Sequence, residues 1–391
     1  MSLADRTLDI ALDARFRFGA GSVAGVGDEV RAAGATRALV VTDRGVVAAG
    51  IAGRVADLLG AAGIELEVFD GVAPNPTVAD VVAGAAALAA LPGEGAAAIV
   101  ALGGGSAMDA AKGVAIAAAN PRLEVVDLDY RNASLRAGLP IVAIPTTAGT
   151  GSETNAFGVI TNEAEHRKFY VGNASCRPRM ALLDPELTIG LPPRATAATG
   201  IDALSHALEG LMARHANPLS IGLALQVVRA IGGALERAVA DGSDLDARSE
   251  MLLAAHVAGI AQGMTGLGLG HAIAHPLGGR LDVPHGVALA AVLPAVMRFN
   301  APVVRDRLSW AAVALGVAGP RDPGAQAADA AVREVARLIA AVGLGGSLGS
   351  LGVTRDLVTM LADDALADVV VANTPRMPSR AEVRELVVAL L

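Results

Sequence analysis

Four short runs in the first half of the chain are apolar at nearly every position: RALVVTD at 37–43, LEVFDGV at 66–72, AAIVALGGG at 97–105 and LPIVAIPTT at 139–147. Such runs, closed by glycine, proline or aspartate, read as strands buried on both faces. Between them GIAGRVADLLGAAG and VADVVAGAAALAAL repeat apolar residues at helical spacing. Strand, helix and strand in alternation predict right-handed crossovers and a mostly parallel sheet. After DPELTIGLPP at 184–193 the pattern changes. From Arg194 onward the β-branched runs stop, and alanine- and leucine-rich stretches continue to the end, where Ser379 and Glu382 form a capping box for a last helix.

A chain of 391 residues exceeds one ordinary core. The Pro192-Pro193 pair is the expected boundary between an α/β domain at 1–190, with a parallel sheet suited to a dinucleotide, and an all-helical domain at 191–391. The functional cleft is expected between them. No internal repeat is visible.

Composition narrows the function classes. With 53% hydrophobic and 18% charged residues the chain is globular, and a net charge of −8 gives a nucleic-acid partner no electrostatic support. Aromatics at 2% argue against platforms for stacking bases or sugars, and the lone Cys176 excludes a disulfide framework or a cysteine metal cage. No stretch reaches about 20 uninterrupted apolar residues; GVALAAVLPAVM is short and carries Pro294. The start, MSLADRTLD, lacks both the basic flank and the apolar core of a secretory signal. The expectation is a soluble cytoplasmic protein without membrane or nucleic-acid partners.

In IVALGGGSAMDAAKGVA a strand is expected to end at Leu102 and a helix to start near Ala107, with Ser106 as its cap. Gly103, Gly104 and Gly105 let backbone amides approach a ligand, and a helix N-terminus suits a pyrophosphate. The stretch is not the GxGxxG fingerprint, and a plain tight turn is the alternative. PTTAGTGSETN at 145–155 offers hydroxyls to a cofactor, or is simply a polar loop. Asp43, ending its strand, can accept hydrogen bonds from an adenosine ribose and would repel a 2′-phosphate, favouring NAD over NADP; otherwise it is a turn or cap residue.

Seven histidines are unevenly used. Asp202 and His206 stand four apart in TGIDALSHALEG, His271 and His275 share that spacing in GHAIAHPLGG, and His285 follows in a PHG turn. On a helix, residues four apart share a face. One carboxylate and three imidazoles suit a divalent transition metal, iron(II) or zinc. His166, His215 and His256 sit alone and take no role; Glu209 is read as a structural helix carboxylate.

GGGSAMDAAK, PTTAGTGSE, DPELT, GIDALSHALE and GLGLGHAIAHPLGGRLDVPHG occur in this order, and together they resemble the iron-containing (group III) alcohol dehydrogenases from about Phe16 nearly to the C-terminus. The resemblance implies the dehydroquinate-synthase-like fold of that family and an oligomer, a homodimer or larger. It implies Asp202, His206, His271 and His285 as metal ligands and His275 as a nearby non-ligand. Gly103, Gly104 and Ser106 would hold the pyrophosphate of NAD, Asp109 the nicotinamide ribose and Asp43 the adenosine ribose. Thr146, Thr147, Lys168 and Asn75 in APNPT would complete the cofactor contacts. Phe157 and Gln262 are the candidate substrate residues; Gln262 stands where many relatives carry a bulky aromatic, which makes the pocket roomier or more polar. ANTPRMP departs from the family's terminal NPR element by one added residue.

The implied activity is NAD(H)-linked oxidation of a small alcohol, diol or hydroxy acid, or the reverse reduction of an aldehyde. His275 either relays the proton or makes a hydrogen bond that orients a ligand. Alternatives on the same fold are a maleylacetate reductase, against which the full ligand set argues, and a dehydroquinate-synthase-like enzyme, which needs a basic cluster near the metal that the sequence does not display. A non-catalytic NAD-responsive protein would leave the metal residues without purpose.

Overall fold

The four apolar runs become four adjacent strands of a six-stranded parallel sheet, three of them inside it and one at its edge. The computed structural model describes residue 10 and residues 15–391 apart from 166 and 323, so MSLADRTLD and His166 lie outside the described residues. The strands are β1 Phe16–Phe18, β2 Arg37–Val41, β3 Glu65–Phe69, β4 Ala97–Gly103, β5 Ile141–Pro145, β6 Gly158–Asn162, β7 Arg167–Val171 and β8 Met180–Leu183. Sheet order is β1-β8-β5-β4-β2-β3, every pairing parallel. β6 and β7 form a separate antiparallel pair. The sequence pattern located β2 to β5. It missed β1 and β8, which are three and four residues long, and the β6–β7 pair, whose exposed positions dilute its apolar signal.

The helices packed on the sheet are α1 Val26–Ala32, α2 Arg44–Ala48, α3 Ile51–Ala61, α4 Val78–Ala90 and α5 Gly105–Ala119. Side chains alternate across the sheet. Leu39, Val41, Ile99 and Ala101 join a core under α4 and α5, while Ala38, Val40, Val100 and Leu102 join a second core under α1 and α3. The first core continues without a break into the helical half, through Ile201, Leu204 and Leu208.

That half contains α6 Pro193–Met212, α7 Pro218–Ala240, α8 Leu245–Thr265, α9 Leu269–Leu281, α10 His285–Ala314, α11 Gly324–Ala341, α12 Val358–Ala367 and α13 Arg380–Ala389. The capping box at Ser379 and Glu382 is present. Among the described residues two helices, α7 and α10, are long and apolar enough to cross a membrane by length and average composition, although neither has about 20 uninterrupted apolar residues. An unbroken-run criterion missed them because isolated polar residues and Pro294 interrupt α10. In this fold α7 packs on α6 and α8, and α10 on α6, α9 and α11.

Candidate metal and dinucleotide site

Three helix segments converge on one buried point. α6 presents Asp202 and His206 from adjacent turns, α9 presents His271, and His285 is the first residue of α10. The turn before α10 is enabled by Asp282, which adopts the left-handed conformation at φ 52° and ends α9. Gly286 completes the approach: a Cβ there would collide with the Ala198 carbonyl of α6, so only glycine lets α10 start this close.

Asp202 Oδ1 lies 3.5 Å from His206 Nε2, 3.8 Å from His271 Nε2 and 3.6 Å from His285 Nε2. Donors bound about 2.1 Å from a tetrahedral ion stand about 3.4 Å apart. Ligating atoms of Asp202, His271 and His285 all fall within 4.8 Å of one another; His206 joins beside Asp202, its ring stacked on that of His271 at 4.9 Å. Asp202 Oδ1 and His271 Nε2 are fully buried with no hydrogen-bond partner. Leaving a buried carboxylate oxygen and a buried imidazole nitrogen 3.8 Å apart, neither with a hydrogen-bond partner, is costly unless a cation lies between them. The donor set therefore fits a divalent metal.

Electrostatics prepare most of these ligands. Burial pushes the Asp202 carboxyl up, but His206, His271 and His285 outweigh it and hold the group far below the usual carboxylate range. Burial keeps His206 and His285 below the ordinary imidazole value, so both present neutral lone pairs. His271 is different: burial works against its charge, yet Glu209 and Asp202 raise it to about 9. Glu209 Oε2 accepts the Nδ1–H of His271 at 2.5 Å and the backbone amide of Gly268, while Oε1 accepts the amide of Gly270. Glu209 is thus more than the structural helix carboxylate expected: it fixes the His271 ring, with Nε2 turned to Asp202, and caps α9. One third of the His285 side chain (34%) is open, giving the cluster its accessible side.

His275, one turn along α9, bonds to none of the ligands. Its Nδ1 donates to Asp368 Oδ2 at 2.5 Å, while its ring stacks on His285 at 5.6 Å. The alternative in which it orients a ligand by hydrogen bond is not what the geometry contains. Asp368 itself caps the turn after α12 through the Val370 amide.

On the sheet side, the carboxyl ends of β2, β4 and β5 bring Asp43, the glycine-rich turn and the two threonines to one edge. The turn differs in detail from expectation. β4 runs to Gly103, whose φ of +144° calls for glycine, and α5 begins at Gly105 with Gly104 as a cap that has no side-chain bond. Ser106 is not the cap; its hydroxyl donates to the Pro74 carbonyl. The first amides of α5 consequently stay available to an anion. Thr146 donates its amide to the Gly103 carbonyl, and Thr147 packs over Gly104.

Asp43 Oδ1 caps α2 through Gly45 and Val46, while Oδ2 faces Gly103. The cap role and an edge position at the turn coexist. Asp109 accepts the Ser152 hydroxyl at 2.6 Å and the Val159 amide at 3.1 Å; burial raises its carboxyl against Lys112. Asn75 bridges the two halves, donating to Asp282 Oδ1 at 2.7 Å and accepting from Lys168 Nζ at 3.1 Å. Burial lowers the Lys168 ammonium, opposed by Asp109 and Asp282.

A cleft of about 400 Å³ opens beside His275, between β7 and the helices α9 and α12. Tyr130, Tyr170, Lys168 and Asp368 line it. Phe157 stands behind this wall, edge to face with Tyr170 at 5.4 Å. Gln262 is half-buried on α8 and is not among the lining residues. Arg131, Arg167 and Arg280 also border the cleft, so basic groups do gather near the site, contrary to the sequence expectation. They were invisible because they come from three distant segments.

Comparison with known proteins agrees along the whole chain. A family model described as iron-containing alcohol dehydrogenase matches residues 13–185, and one described as Fe-containing alcohol dehydrogenase family, C-terminal, matches 196–391. Lactaldehyde reductase of Escherichia coli (strain K12) is 39% identical over 370 residues, covering 94% of this chain and 96% of that protein. The crystal structure of a 1,3-propanediol oxidoreductase superposes with a TM-score of 0.94 at 35% identity, covering 99% of this chain and 100% of the other. Sulfoacetaldehyde reductase from Bifidobacterium kashiwanohense, solved with NAD+, gives 0.88 at 29% identity, covering 98% and 99%.

Proposed function

The chain belongs to the iron-containing alcohol dehydrogenases, an NAD-dependent oxidoreductase family, and on that premise we propose that it interconverts a small alcohol and its aldehyde with NAD(H) and a divalent metal. In this reading Asp202, His206, His271 and His285 hold iron(II), with zinc as the alternative. Residues 191–391 supply the metal and residues 1–190 the dinucleotide. The protein works as a cytoplasmic homo-oligomer, without membrane or nucleic-acid partners.

When bound, the metal would polarise the substrate oxygen as a Lewis acid and NAD(H) would accept or give the hydride. The remaining work falls to the chain's own residues. The open first turn of α5 with Gly103 and Gly104 receives the pyrophosphate, Asp43 stands at the edge for the adenosine ribose, and Asp109, Thr146, Thr147, Lys168 and Asn75 border the nicotinamide end. Ser106, bonded to Pro74, holds the turn against the APNPT loop.

His275 moves the proton. Because its Nδ1–H is committed to Asp368, Nε2 is the atom that takes a proton from the alcohol and returns it to the forming alkoxide in the reverse direction. A dehydroquinate-synthase-like reaction on a highly charged substrate is disfavoured because each arginine of the cleft faces a carboxylate.

The observation carrying this reading is Asp202 Oδ1, buried, unpaired and ringed by three imidazoles within 3.8 Å. Elemental analysis of iron- and zinc-reconstituted protein, followed by NADH absorbance at 340 nm with short aldehydes, tests it. Stoichiometric metal and aldehyde-dependent NADH oxidation are expected; protein that retains no metal, or NADH that persists with every aldehyde, ends the proposal.

A further inference from the structure

The chain has only two tyrosines, and both stand on one wall of the cleft that contains His275. Tyr170, on β7, meets Tyr130 edge to face at 5.8 Å with 82° between the rings, and meets Phe157 at 5.4 Å with 84°. In so aromatic-poor a chain this is a concentrated apolar surface, and edge-to-face packing holds each ring by its neighbour. Val159, Pro276 and Val369 extend the apolar lining.

The charged groups around the same cleft cancel in pairs. Arg131 binds Asp129 at 2.7 Å, Arg167 binds Glu165 at 2.8 Å, and Arg280 binds Asp364 at 2.5 Å. His275 is committed to Asp368, and Lys168, hydrogen-bonded to the neutral Asn75 amide, has its charge opposed by the carboxylates of Asp109 and Asp282. An anionic or cationic substrate tail would meet counter-ions that already have partners, and would lose water without gaining an unengaged one. A neutral apolar tail loses nothing of this kind and covers the rings. A cleft of about 400 Å³ also falls in the range of pockets that enclose more than a two- or three-carbon molecule.

We propose that the Tyr170–Tyr130 wall, with Phe157 packed behind it, and the paired charges around it select neutral alcohols and aldehydes with an apolar alkyl or arylalkyl tail, and that Tyr170 is the specificity-determining residue. This deepens the function proposed above and rests on it.

The test uses the metal-loaded enzyme with NADH and a panel of aldehydes: acetaldehyde as the short reference, 3-phenylpropanal and pentanal as neutral apolar tails, lactaldehyde as a neutral polar one, succinic semialdehyde as an anion and betaine aldehyde as a cation. The value of kcat/KM for 3-phenylpropanal and pentanal is expected to exceed the others by about tenfold or more, the effect of one or two well-buried methylenes. Tyr170→Ala should lower the ratio of kcat/KM for 3-phenylpropanal over acetaldehyde by about tenfold, and Tyr170→Phe, which keeps the ring, should restore it. Asp364→Asn leaves Arg280 unpaired on the wall and should raise the relative kcat/KM for succinic semialdehyde about two- to fivefold, the worth of an exposed ion pair. Preference for lactaldehyde or a charged aldehyde overturns the inference while leaving the dehydrogenase standing, as does a ratio unchanged in Tyr170→Ala. Silence with every aldehyde overturns both.

Discussion

His271 and Glu209, 62 residues apart and both buried, are joined by a hydrogen bond from Nδ1 to Oε2 at 2.5 Å, and this bond aims His271 Nε2 at Asp202. Glu209 also gathers the amides that start α9. One side chain therefore sets both the ring orientation of a ligand and the position of the helix that carries it.

Glu209→Gln should keep the fold and weaken metal binding about 10- to 100-fold, the usual cost of losing a carboxylate behind a ligating histidine. Competition against a chelator of known affinity measures this. Unchanged affinity would mean that the Glu209 bond serves α9 alone.

Metal affinity should rise with pH. His271 is raised to about 9 from 6.5, so below about pH 9 a metal must displace its proton, whereas His206 and His285 are already neutral. One displaced proton makes affinity climb about tenfold per pH unit until it levels near 9. In the metal-free protein the sign is opposite. The raised group stabilises the fold fully below 6.5 and loses that contribution as pH rises through about 9. Melting curves with and without metal from pH 6 to 10 should diverge accordingly, and parallel curves would contradict the assignment.

The two neighbouring histidines of α9 should separate by phenotype. His271→Ala should lose both metal and turnover. His275→Ala should retain metal and lose about 10²- to 10⁴-fold in kcat, most visibly in aldehyde reduction at low pH. Metal assay beside kcat decides between them; a His275→Ala protein without metal would place His275 among the ligands.

Asp282→Ala removes the bond from Asn75 and puts alanine in a left-handed conformation, costing about 1–3 kcal/mol. Asp282→Asn keeps both the acceptor and the tolerance for φ 52°, and should melt within about 1 °C of the parent. Calorimetry checks the pair. Equal melting of both variants would show that the bridge between the halves carries no stability.

The sequence by itself determined the sheet's centre, the change to helices near Pro193, the ligand spacings on α6 and α9, and the glycine-rich approach to α5. Each is a local rule: period two, period 3.6, or one glycine at one turn. Short β1 and β8 and the half-exposed β6–β7 pair carried too weak a local signal. Local spacing also misplaced Ser106, because the Pro74 carbonyl that takes its hydroxyl lies 32 residues away. What only the tertiary structure decided is which carboxylate stands behind which imidazole: Glu209 for His271, Asp368 for His275, 62 and 93 residues distant. It also decided that Asn75 and Asp282, 207 residues apart, join the halves, and that the arginines of the cleft arrive already paired. Periodicity reports which face of an element is buried, whereas hydrogen bonds and ion pairs depend on angstrom-scale distances between elements, and those distances exist only after the cores have packed.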